Sequence, residues 1–129
     1  MGLFDFFKKN NSSTVVDAKQ TTTKVAIDYA TIDSLAKAKE LETSKQLVKH
    51  YLFPLELGGQ ENALNVVYIT QVADNAKKIV DAKVDKMLEE GADIRYAAKP
   101  EYIGASFIPS KILVTVTGDK SMVEVIDIW

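Results

Sequence analysis

The chain has 129 residues, 16 basic against 18 acidic, one histidine and no cysteine, for a formal net charge of −2. This length suits one domain and not two. Without cysteine there are no disulfides, thiol nucleophiles or cysteine-ligated metals, and a lone His50 leaves little for histidine-based metal or Ser–His chemistry.

The chain opens Met1-Gly2-Leu3-Phe4-Asp5-Phe6-Phe7-Lys8-Lys9. This is no signal peptide, because its charges follow the apolar residues and no cleavage site appears. Gly2 prompts a myristoylation check, but Phe6 stands where Ser or Thr is expected. As a helix, the segment puts Leu3, Phe6 and Phe7 on one side, Phe4 at its edge, and Asp5, Lys8 and Lys9 opposite. Exposed bulky side chains forgo about 1.5–3 kcal/mol each relative to burial. Such a patch seeks a surface: its own domain, a second copy, a protein partner or, more weakly, a membrane. Residues 10–23 are polar and without sustained period, a tether composition. The expected division is therefore 1–23 as apolar tip and tether, and 24–129 as a single domain. The start is similar to those of many small bacterial cytoplasmic proteins, a likeness too short to indicate a family.

Val25, Ile27 and Tyr29 alternate with smaller or polar residues, a short strand pattern. Thr31 or Asp33 then caps a helix expected over Ile32–Leu52, with Lys39, Glu42, Gln46 and Lys49 on its wet face and Pro54 as its stop. His50 would sit near the C-terminus of that helix, where it serves the helix dipole and finds only Gln46 and Pro54 as helical neighbours. After the Gly58-Gly59 turn, Leu64–Ile69 predicts a strand, central because it is apolar on both faces. Thr70 caps the next helix. Val72, Ala76, Ile79, Val80, Lys83, Val84 and Met87 form one sector, Asp74, Lys78, Asp81, Asp85 and Glu89 the other, and Gly91 closes the last turn. Asp81 and Asp85 share a face that suits a divalent cation, but interleaved lysines favour a solvated, salt-bridged surface.

Ile94–Ala97 reads as a strand, followed by a loop over Lys99–Lys111 that carries Tyr102 and Phe107. Aromatics on such a loop either bind partners or cover a sheet edge. Ile112–Thr117 is β-branched and strand-forming. Gly118-Asp119 suits a hairpin, and Met122–Trp129 is the return strand. The expected fold class is α+β: a two-layer, mostly antiparallel sheet of about five to six strands, two main helices on one face, and a short N-terminal apolar helix on a linker.

No stretch has the ~18 apolar residues of a membrane span, which points to a cytoplasmic protein. Nucleic acid is not expected as a partner: the charge is nearly balanced and Arg95 is the single arginine. No cofactor loop, metal cluster or nucleophile–base pair is apparent. The leading expectation is a non-enzymatic bacterial cytoplasmic binding or regulatory module, acting through protein–protein contacts or as a homodimer. Its contact candidates are Leu3, Phe4, Phe6, Phe7, Tyr102, Phe107 and Trp129. Two alternatives stand beside it. One is a small-ligand site or small enzyme whose pocket joins Glu56 or Asp28 to Tyr51, Tyr68 or Tyr96. The other is a peripheral membrane protein held by residues 3–7.

Overall fold

The computed structural model describes residues 26–129. The expected N-terminal helix and tether, with Leu3, Phe4, Phe6 and Phe7, lie outside the described residues. The expected strand at Val25–Tyr29 gives way to a short 3-10 turn, Tyr29–Thr31, capped by Asp28, whose carboxylate accepts from the Ala30 N–H at 3.1 Å.

Helix α1 spans Leu35–Thr43 and starts at Ser34, whose hydroxyl accepts from the Lys37 N–H at 3.2 Å. It stops nine residues short of the expected end. The chain turns left-handed at Lys45, with φ of +66°. The Lys45 N–H donates to the Glu42 carbonyl at 2.9 Å and the Gln46 N–H to the Leu41 carbonyl at 2.8 Å. This is a Schellman end, usually built on glycine. Residues expected to continue the helix instead form strand β1, Val48–Tyr51.

β1 pairs antiparallel with β2, Val66–Ile69, in the register His50↔Val67. Between them, Asn65 fastens the loop: its side chain accepts from the Phe53 N–H at 2.8 Å and donates to the carbonyls of Phe53 and Gln60. Gly59 is required there, since a Cβ would lie 1.9 Å from the Phe53 carbonyl oxygen. β2 is buried as expected, yet β1 is its sole strand neighbour among the described residues. Its burial comes from packing on both sides: Tyr68 against Ala38, Leu47 and Ile108, and Val67 and Ile69 against the main core.

Helix α2, Gln71–Glu89, agrees with the expectation. Thr70 caps it, and Gly91 ends it with φ of +88°. Its orientation does not agree. Val72 and Ile79 are 80% and 63% exposed, whereas Asp74 and Lys77 are buried with Ala73, Val80 and Val84. The helix turns a mixed polar and apolar face inward because other elements supply partners for the polar groups, as described below.

Three strands follow: β3 (Ile94–Glu101), β4 (Lys111–Gly118) and β5 (Met122–Asp127), antiparallel in that order. β3 is longer than expected and contains Pro100, which an outer strand accommodates because one flank needs no N–H donor. Ile112, Val114 and Val116 of β4 are buried. Gly118 has φ of +112°, and a Cβ there would lie 2.5 Å from the Asp93 carbonyl oxygen. The fold is thus α+β, with two helices and two antiparallel sheets of two and three strands among the described residues. The expected single sheet of five to six strands is divided, because β2 and β3 share no ladder. α1 packs on β2, while α2 touches both β1 and β5. Among the described residues no helix is long and apolar enough to cross a membrane.

Candidate functional site

The chemistry of the fold gathers where β1 faces α2. Val48, His50 and Leu52 alternate inward from β1 and its extension, by the two-residue period of a strand. Across from them α2 presents Asp74, Lys77, Lys78 and Asp81, spaced at three, four and seven residues and so grouped on one side of the helix. His50 is 5% exposed, and its Nδ1 lies 2.8 Å from Asp74 Oδ1. Lys78 meets the other Asp74 oxygen at 3.0 Å.

One turn further on, Lys77 is fully buried. Its ammonium donates to the Leu52 carbonyl at 2.9 Å and to Asp81 Oδ2 at 2.7 Å. The Tyr96 hydroxyl, from β3, lies 2.6 Å from Asp81 Oδ1 and 3.1 Å from the same Leu52 carbonyl. The Lys77 ammonium also lies 5.5 Å from the centre of the Tyr96 ring, on which Phe53 stacks at 5.4 Å. A buried charge is tolerated only when it is paired and hydrogen-bonded, and Lys77 meets that condition.

The proton affinities follow. Burial pushes His50 below the usual imidazole range, against the opposing pull of Asp74. Burial tends to raise Asp74, but hydrogen bonds from His50 and Lys78 outweigh it and hold the carboxyl low. Burial lowers Lys77, opposed by Asp81. Burial and then the Asp81 carboxylate push the Tyr96 hydroxyl far up, so it stays a protonated donor. His50 Nε2 is buried and has no hydrogen-bond partner among the described residues.

Beside this network lies an open groove of about 680 Å³. Val48, Pro54, Leu55, Leu57 and Ala82 supply apolar wall, and His50, Tyr51 and Gln71 polar wall. Four carboxylates line it (Glu56, Asp74, Asp81 and Asp85) against two lysines, Lys49 and Lys78. Lys49 is held by Glu61 at 2.6 Å, and Tyr51 donates to the same Glu61 oxygen at 2.7 Å. Glu56 and Asp85 form no ion pair among the described residues. Among these residues no cluster of three or more histidine or carboxylate groups is arranged to hold a metal ion. Asp81 in particular is committed to Lys77 and Tyr96, not to Asp85.

The residues singled out from sequence are distributed unevenly. Tyr51 and Glu56 line the groove, and Tyr96 joins it through Asp81. Tyr68 lines a smaller hollow of about 300 Å³, together with Leu35, Val66 and Phe107. Asp28 caps the 3-10 turn instead. Tyr102 and Phe107 are exposed on the loop between β3 and β4. That loop is fastened to the start of the domain: Ser106 donates to the Tyr29 carbonyl at 2.7 Å and the Phe107 N–H to that of Ile32 at 2.6 Å. Trp129 is half-buried, 6.2 Å from the Tyr29 ring, and its indole N–H donates to the Ile108 carbonyl at 3.0 Å.

His50 is corrected outright: it sits on a strand and its partner is Asp74, 24 positions away. Asp74, Lys77 and Asp81 as an inward group were missed. One signal pointed to them: Lys77 falls on the same stripe as Ala73, Val80 and Val84, at spacings of four, three and seven. Comparison of the chain with family models, with curated proteins and with solved structures finds no match.

Proposed function

We propose that the protein is a non-enzymatic binding module of the bacterial cytoplasm that acts through protein–protein contacts, with the groove between β1 and α2 receiving a basic, partly apolar segment of its partner. The observation that carries this reading is the lining of the groove. Its apolar wall suits aliphatic side chains, and its carboxylates exceed its lysines by four to two, with Glu56 and Asp85 unengaged in ion pairs among the described residues. A groove lined mainly by one sign of charge concentrates the opposite sign. Its volume falls within the ~300–1,000 Å³ of ordinary ligand sites. The polar network behind it holds β1, α2 and β3 together, so the groove is supported by rigid elements.

The reading is tested with two small probes of equal length and opposite charge, n-pentylamine and pentanoate, titrated into ¹⁵N-labelled full-length protein. The amine is expected to shift amide resonances over 48–57 and 71–85, and pentanoate to leave them in place. Equal responses, or shifts elsewhere only, would overturn the reading. In Glu56→Gln/Asp85→Asn the amine response should weaken several-fold, the scale of exposed charge pairs.

A second reading, a small-molecule acid–base site, is favoured by one observation: the Asp74-oriented His50 with its unpartnered Nε2. His50→Gln separates the two readings. Binding of the amine should survive that substitution if the groove is a contact surface, and be lost if the imidazole is the working group.

A further inference from the structure

Strand β5 has β4 on one flank and, among the described residues, no strand on the other. Such a flank is a row of backbone N–H and C=O groups ready to pair. Natural edges are blocked by charged residues, proline or a bulge. β5 reads Met-Val-Glu-Val-Ile-Asp, with neither proline nor lysine; its charges are Glu124, which turns to Lys83 of α2, and Asp127 at its end, and its ladder to β4 runs unbroken from Val116↔Met122 to Lys111↔Asp127. Its outer face carries Val123 and Val125, with Asp127 at the end of the row. Val123 and Val125 are 66% and 49% exposed, and stand across from Thr115 and Leu113 of β4. Met122, Glu124 and Ile126 alternate to the other face, where Glu124 lies 3.5 Å from Lys83 of α2.

We infer that a second copy of this chain covers this edge, the two β5 strands pairing antiparallel about a two-fold axis at Val125. Strand registers that keep both copies of α2 on one face of the joined sheet change by two residues at a time. With the axis at Val125, Val125 meets the second copy's Val125, Glu124 meets Ile126, Val123 meets Asp127 and Met122 meets Ile128, so no like charges lie opposite. With the axis at Glu124, two glutamates face each other directly, a destabilising pair. An axis at Val123 pairs only Met122–Glu124 of each strand and leaves Val125 opposite Ser121, outside β5. An axis at Ile126 parts the two copies of Val125, setting each against Asp127, and so loses the central apolar pair. The Val125 register thus joins Leu113, Val125 and their counterparts in one apolar row over the four inner strands of a six-stranded sheet, with Lys99 at either end. The contact is isologous and closes on itself, as two-fold interfaces do.

The test is sedimentation velocity of the full-length chain from micromolar to about millimolar concentration. Wild type is expected to move from monomer toward dimer mass. Val125→Lys and Val125→Glu should each weaken self-association by about tenfold or more, since each sets like charges opposite at the axis. Circular dichroism checks that both stay folded, and the exposure of Val125 favours that result. An equimolar mixture of the two variants should associate again, because lysine then meets glutamate. A register that brings residue 125 of the two copies together at the axis predicts this rescue. Three results would overturn the inference: a wild type that stays monomeric throughout, association unchanged in Val125→Lys, or a mixture that fails to associate. If Phe6→Ser/Phe7→Ser abolishes the dimer while Val125→Lys does not, the apolar N-terminal segment is the interface instead.

Discussion

Lys77 shows what a single residue decides here. A lysine with no exposed surface would be a heavy burden without the Leu52 carbonyl, Asp81 and the Tyr96 ring around it. Tyr96→Phe removes one hydroxyl that bridges Asp81 and Leu52. It should lower unfolding free energy by about 1–3 kcal/mol, the cost of leaving buried groups short of a partner, as measured by urea titration. His50 sets the pH response. Its pKa in the folded state lies below that of the unfolded chain, so the unfolded state takes up the proton first. Stability is therefore complete above about pH 6.5, the unfolded imidazole value, and falls as pH drops through it. Asp74, held low in the fold, adds a further loss nearer the carboxylate range. Thermal melts at pH 7.5 and pH 5.5 should show a fall in Tm for wild type and a smaller fall for His50→Gln. The residues of this network could be read as polar, and only Lys77, on the stripe of Ala73, Val80 and Val84, could be read as inward-facing. Their partners come from strands 24 and 15 positions distant, and no local pattern reveals such pairing.

At the scale of elements, the two helices end in the same way on different residues. α2 closes at Gly91, with Ala92 donating to Met87, and glycine announced that end in the sequence. α1 closes at Lys45 with the same bonds. Lysine carries no such signal, so the sequence pattern extends this helix to Leu52 and hides β1 inside it. A non-glycine residue in this conformation is strained by ~1–2 kcal/mol. Lys45→Gly should therefore stabilise the domain by about 0.5–1 kcal/mol, while Gly91→Ala should destabilise it by a similar amount. Denaturant midpoints of the two variants check the contrast. β4 and β5 were legible because β-branched residues and Gly118 mark them without competition. The placement of α2 was legible and its rotation was not. Hydrophobicity favoured turning Val72 and Ile79 inward, and the hydrogen bonds available to Asp74 and Lys77 decided otherwise.

At the scale of the whole molecule, α2 serves both sheets, and the groove lies along its contact with the smaller one. The α+β class followed from the order of elements; the division into two sheets did not, because strand pairing between distant segments leaves little local trace. The groove was half legible. Tyr51 and Glu56 were singled out, while the α2 residues that complete it read as a solvated face. The central claim is that this groove selects basic, partly apolar segments. It is tested most directly by selecting binders from a random decapeptide library on immobilised full-length protein, beside a Glu56→Lys/Asp85→Lys variant. The account predicts that wild type enriches peptides carrying lysine or arginine next to aliphatic residues, and that the variant loses this enrichment. Enrichment of acidic peptides on wild type, or the same peptides on both proteins, would contradict it.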